Sequence, residues 1–229
     1  MKWPGMPTDR SRLSGVYLLT PDAVGAAFDR VLAVVDAALA AGVKVVQYRN
    51  KLADERERER QARALVRLVQ SAGAVAIVND RVALAAAIGA DGLHLGRDDG
   101  DVGEARRAMP DGLLGVSCYN ELARAEQAVV DGADAIAFGS MFPSSTKPGA
   151  VRAPLELLRT ARHRWPTRRV IAIGGIDGGN IHEVAEAGAH AAALISAVFD
   201  AESPRRAATE LVHLFNEGQQ SHESQRAAV

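Results

Sequence analysis

Short apolar, β-branched runs alternate along this chain with longer stretches of helical period, which predicts parallel strands joined by crossover helices. Eight strands are read, at residues 15–20, 43–49, 74–79, 92–96, 114–118, 135–139, 170–174 and 191–195. Between the first two, Phe28, Val31, Leu32, Val35 and Leu39 form one apolar stripe of a helix expected to end at Gly42. The triplets Ala41-Gly42-Val43, Gly89-Ala90-Asp91, Gly132-Ala133-Asp134 and Gly188-Ala189-His190 each separate a helix from a strand, with glycine suited to the left-handed closing position. Asp54 with Glu57, and Asn180 with Glu183, have the spacing of a capping box. Ser203-Pro204 opens an eighth helix carrying Ala207, Leu211, Leu214 and Phe215, which Gly218 is expected to close. The expected organisation is an extension over 1–14, one domain over 15–217 and a disordered tail over 218–229. Eight β/α units in one domain fit an α/β fold of the single (β/α)8 TIM-barrel kind, and no GxGxxG turn argues for a dinucleotide fold instead.

Composition narrows the ligands. The 229 residues are 48% hydrophobic and only 4% aromatic, enough for one well-filled core of Ala, Val, Leu and Ile. Charged residues cancel to a net −1, so no global field draws the chain to nucleic acid or to an anionic membrane. Its ligands must be found through local charge. Cys118 is the only cysteine, which excludes an internal disulfide framework and suits a reducing, cytoplasmic setting. No apolar run approaches a membrane span, and Met1 to Ser14 does not read as a signal peptide.

In a barrel of this kind the active face lies at the C-terminal strand ends, so polar residues there are the candidates. Gln47, Arg49 and Lys51 follow a period of two at the end of the second strand and bring an amide and two cations toward an anion such as diphosphate. Asn79-Asp80 and Asp98-Asp99 end the third and fourth strands. Their carboxylates suit Mg²⁺ that also touches phosphate, with ordinary helix capping by Asp80 or Asp99 as the plain alternative. Ser144, Thr146 and Lys147 lie in a hydroxyl-rich loop after the sixth strand. Gly174-Gly175 and Ile195-Ser196 end the last two strands, where barrels commonly hold phosphate on backbone N–H groups; tight packing is the alternative demand for these glycines. Ser117 ends the fifth strand, but neither it nor Cys118 has an evident base partner for nucleophilic work. His94, inside an apolar strand, reads as a hydrogen-bonded core residue outside the site.

Taken in order, Gln47-x-Arg49-x-Lys51, Asn79-Asp80, Gly92-x-His94-x-Gly96-x-x-Asp99, Gly115-x-Ser117, Ser144-x-Thr146-Lys147, Gly174-Gly175 and Ile195-Ser196 resemble the thiamine phosphate synthase family across about residues 15 to 200. The resemblance implies a transferase of thiamine biosynthesis that joins a pyrimidine diphosphate to a thiazole phosphate with Mg²⁺ help. Gln47, Arg49, Lys51, Asn79, Ser117 and Lys147 would then bind the pyrimidine diphosphate, Asp80 and Asp99 the metal, and Ser144, Thr146, Gly175, Ile195 and Ser196 the thiazole phosphate. Catalysis would fall to Arg49, Lys51, Lys147 and Ser117, acting on small-molecule substrates without nucleic acid or membrane, and a homo-oligomer stays open. Arg97 stands where the family usually has Gln, and Ser144 where Thr is frequent. Two other activities on the same barrel are a thiazole tautomerase paralogue, against which Asp99 and Tyr119 argue, and a non-catalytic phosphate-ligand sensor.

Overall fold

The computed structural model describes residues 9–143 and 149–227. Eight parallel strands close into a barrel in chain order: β1 (Gly15–Leu19), β2 (Val45–Tyr48), β3 (Val75–Asn79), β4 (Gly92–Leu95), β5 (Leu113–Tyr119), β6 (Ala135–Phe138), β7 (Arg169–Ile173) and β8 (Ala191–Leu194). The helices outside them are α1 (Ala27–Ala40), α2 (Glu55–Ser71), α3 (Val82–Ile88), α4 (Val102–Ala108), α5 (Leu122–Val130), α6 (Glu156–Arg164), α7 (Ile181–Glu186), the single turn α8 (Ser196–Phe199) and the long α9 (Pro204–Ala227). The TIM barrel read from the sequence is therefore the fold.

Alternation along each strand sorts the side chains onto two walls. Tyr17, Leu19, Val45, Val75, Ile77, Leu113, Ala135, Ala137, Ile171, Ala191 and Ala193 fill the inside. Val16, Leu18, Val46, Ala76, Val78, Leu93, Val116, Ile136, Val170 and Ala192 meet the helices outside. The same parity carries Gln47, Asn79, His94 and Ser117 inward, since their register partners Ile77, His94, Gly115 and Ala137 lie on the inner wall. Leu13, at the end of a short 3-10 turn before β1, is buried among the inner residues at the N-terminal mouth. A leucine taken out of water contributes about 1.5–3 kcal/mol, so this plug also closes the floor.

The triplets before β4, β6 and β8 do more than end helices. Asp91 donates its N–H to Ala76 O and accepts the Ala76 N–H on its carboxylate at 2.9 Å. Asp134 does the same with Leu114 (2.8 and 3.0 Å), and His190 with Val170 (2.7 and 2.9 Å) through Nδ1. The residue before each of these three strands thus clamps the start of the preceding strand, satisfying N–H groups that burial would otherwise make costly.

Two local readings need correction. The last helix does not close at Gly218 but continues to Ala227, so residues 219–227 are helical rather than disordered. Its Gly218 seats the helix against α7, where a Cβ would collide with His182 O, and Phe215 and His222 are buried on that face. Length here is set by a partner surface, which the local propensity of a glycine does not report. Asn180 likewise does not cap α7: its side chain turns back to accept the Asp177 N–H (3.0 Å) and donate to Gly175 O (3.0 Å). Asp54 does cap α2, accepting the Glu57 N–H at 2.8 Å, while the Glu57 carboxylate takes the Gly25 N–H at 2.6 Å.

Candidate active site

The loops after β1 and β2 are built as one unit. Thr20, fully buried, both accepts the Arg49 N–H and donates to Arg49 O, each at 2.9 Å. Asp22 accepts the Lys51 N–H at 2.7 Å and faces the Arg49 guanidinium at 3.3 Å. Beneath them Asn50 accepts the N–H groups of Leu52 and Ala53 and donates to Ala23 O and to Gln61 Oε1, while Tyr48 Oη donates to the same Gln61 oxygen at 3.0 Å. This buried network fixes the backbone that presents Arg49 and Lys51. Thr20, Asp22, Asn50 and Gln61 were not among the candidates. Thr20-Pro21-Asp22 carries the signal that would have found two of them, a polar break after an apolar strand.

Gln47 sits deeper. Its amide donates to Tyr17 Oη at 2.7 Å inside the barrel, so the strand's period of two ends with it, and Arg49 and Lys51 occupy the loop above the rim. Lys51 lines a cleft of about 270 Å³ with Tyr48, Asn50, Arg58, Asn79, Asp80, Arg81 and Leu84.

Asp80 follows β3 with φ 65°, a left-handed conformation that aspartate tolerates better than most residues. Its side chain lies within interaction range of the Asp99 carboxylate. Burial, and then the Asp99 carboxylate, push the Asp80 carboxyl well above the usual carboxylate range, against the pull of Lys51 and Arg49. Asp99 is anchored by the Gly96 N–H on Oδ2 at 2.7 Å. Neither carboxylate caps a helix: α4 is capped by Asp101, and α3 has no side-chain cap. The plain alternative for Asp80 and Asp99 thus falls away. Two carboxylates held within reach of each other, with cations nearby, are hard-oxygen donors that fit Mg²⁺. No group of three or more His, Cys, Asp or Glu positioned for a metal occurs among the described residues, so further ligands would come from substrate or water.

Next to Asp80, whose N–H donates to His94 O at 2.9 Å, His94 Nε2 lies 2.9 Å from Ser117 Oγ. The expectation that Ser117 has no base-type partner is corrected, because period-two parity on β4 and β5 sends both side chains to the same wall. Burial lowers the His94 pKa to about 4 and raises the Cys118 thiol to about 12, which leaves the first a neutral imidazole and the second an unreactive thiol. Arg124 from α5 donates to Ser117 O (2.7 Å) and Gly96 O (3.0 Å), tying the two strand ends together. Arg97 pairs with Glu121 and stacks over the Tyr119 ring at 4.7 Å.

Gly174 and Gly175 are demanded by packing: a Cβ on the first would strike Ser140, and on the second the carbonyls of Phe142 and Pro143, at φ 65°. The loop after β6 therefore leans on the loop after β7. Ile195 and Ser196 begin α8 beside them in the barrel order. Ser144, Thr146 and Lys147 lie outside the described residues.

Residues 16–198 match the sequence model of a family described as thiamine monophosphate synthase. The chain is 52% identical to a thiamine-phosphate synthase of Halorhodospira halophila, over 88% of this chain and 94% of that protein. It is equally similar to one of an Azoarcus species, at 52% over 89% and 98%. Among solved structures, a thiamine phosphate pyrophosphorylase from Pyrococcus furiosus superposes with a TM-score of 0.80 at 34% identity, covering 91% of this chain and 98% of its own. This chain belongs to the thiamine monophosphate synthase family and is an enzyme of the transferase class.

Proposed function

We propose that the barrel mouth joins 4-amino-2-methyl-5-(diphosphooxymethyl)pyrimidine to a thiazole phosphate, giving thiamine phosphate and diphosphate. The observation that supports this most is the meeting of Asp80 with Asp99 within electrostatic reach of Lys51 and Arg49, with Asp80 and Lys51 lining one cleft. Asp80 and Asp99 would hold Mg²⁺, which supplies Lewis-acid charge opposite a leaving diphosphate. Arg49 and Lys51, with Lys147, neutralise the charge that grows on the departing group; Arg49 grips it with two parallel hydrogen bonds once released from Asp22. Gln47, Asn79 and Ser117 orient the pyrimidine. The thiazole phosphate is held by Ser144, Thr146, the Gly175 backbone and Ile195-Ser196, which aims its ring nitrogen at the exocyclic carbon. The C–O bond to diphosphate breaks first, and the nitrogen lone pair then forms the C–N bond to the resulting pyrimidinylmethyl cation. The closed wall shields that cation from water. No protein nucleophile takes part.

The test is incubation of the purified chain with both substrates and Mg²⁺. Thiamine phosphate and diphosphate in equal amounts are expected. A tautomer shift of the thiazole phosphate alone, or binding with no chemical change, would overturn the reading in favour of the tautomerase or the sensor.

A further inference from the structure

His94 is buried on the inner wall, and its two ring nitrogens have unequal surroundings. Nε2 meets the Ser117 hydroxyl at 2.9 Å. Nδ1 is buried with no hydrogen-bond partner among the described residues. It lies against Gly115, close enough that a Cβ there would stand 2.7 Å from it. A neutral imidazole carries one N–H. Placed on Nδ1, that N–H would face a glycine backbone with no acceptor and bear the whole cost of desolvation. Placed on Nε2, it donates to Ser117 Oγ and leaves only a lone pair toward Gly115, which loses less. The sequence pattern Gly115-x-Ser117 opposite His94 is then one device: the glycine makes room for the ring, and the ring sets the serine.

We infer that His94 is a positioning residue that fixes Ser117 as a hydrogen-bond donor toward the ligand, by occupying the serine oxygen as an acceptor. With Nε2 as the donor, the hydroxyl proton is left with no acceptor among the described residues, and Ser117 lies on the inner wall as the register partner of Ala137. It is aimed at a lone pair on the pyrimidine substrate, a heteroaromatic ring nitrogen or a diphosphate oxygen. The ligand part of this inference rests on the function proposed above; the tautomer does not.

Long-range ¹H–¹⁵N correlation on the labelled protein without substrate at pH 7 decides the tautomer. A protonated Nε2 and a bare Nδ1 on His94 are expected; a protonated Nδ1 overturns the inference whatever the enzyme does. Steady-state kinetics decide the coupling. His94→Leu and Ser117→Ala should each lower kcat/KM by about 10- to 100-fold, and the double variant should be no worse than either alone. His94→Gln, whose amide N–H replaces the donor, should recover part of the loss. Multiplying losses in the double variant, or a His94→Leu enzyme with full kcat/KM, overturns it. Binding of inorganic diphosphate to wild type and Ser117→Ala separates the acceptors: weakened binding identifies the diphosphate oxygen, and unchanged binding with impaired turnover identifies the ring nitrogen. Absence of any product from wild type would sink the proposed function while leaving the tautomer result standing.

Discussion

The two ends of this barrel use charge in opposite ways. At the N-terminal end every buried carboxylate described has found its counterpart. Asp134 accepts from Arg10, Arg106 and the Leu114 N–H, and Asp91 from the Ala76 N–H and Gln70, with Arg12 3.6 Å away. At the C-terminal end two carboxylates face each other, and Lys51 is exposed above them. The first end has spent its electrostatics on folding. The second keeps like charges together and pays in stability, which makes sense only where a ligand completes the set.

Substitutions at matched positions should separate these roles. Asp99→Ala should cut turnover about a thousandfold while the folded state is unharmed and thiazole phosphate still binds. Wild-type turnover in that variant would remove Asp99 from the mechanism. Asp134→Ala should do the reverse, costing about 3 kcal/mol because Arg106 and the Leu114 N–H lose their buried partner. Urea unfolding would reveal that loss, and turnover per folded molecule should stay unchanged; a stability within 0.5 kcal/mol of wild type, roughly the range of ordinary surface changes, would contradict the contrast.

The third clamp of the lower rim should respond to acid. Burial, with Arg162, Arg169, His222 and Arg226 around it, lowers the His190 pKa to about 2, from an unfolded value near 6.5. The folded state thus holds this ring neutral where the unfolded chain binds a proton. Its contribution is complete above pH 6.5 and is lost as pH falls below that, by about 1.4 kcal/mol per pH unit. His190→Asp, which copies the other two clamps, should flatten that part of the slope between pH 6.5 and 4.5. Parallel slopes for the two proteins would show that Val170 N–H does not depend on the imidazole.

Much of this was legible from residue order because parity and glycine punctuation are local. Eight strands and their inward residues follow from a period of two, and the loop candidates follow from polar breaks at strand ends. What was not legible arises from pairs distant in sequence. Ser117 met His94 through the register of β4 on β5, and Asp22 met Arg49 through the pairing of β1 with β2, both of which are contacts between strands separated by a crossover helix. Gln61 looked like one polar position on a helix until its burial against Tyr48 and Asn50 made it a support for the Arg49–Lys51 loop. The end of α9 escaped because Gly218 serves a neighbouring helix rather than its own terminus.

That contact at Gly218 has a mechanical meaning. The helix it seats also touches α1, β1 and α8, so the seam where the cylinder joins its first and last staves is buttressed by a segment with no chemistry of its own. A side chain at this one position would act as a wedge behind the eighth loop, and the aperture would be altered from outside the wall.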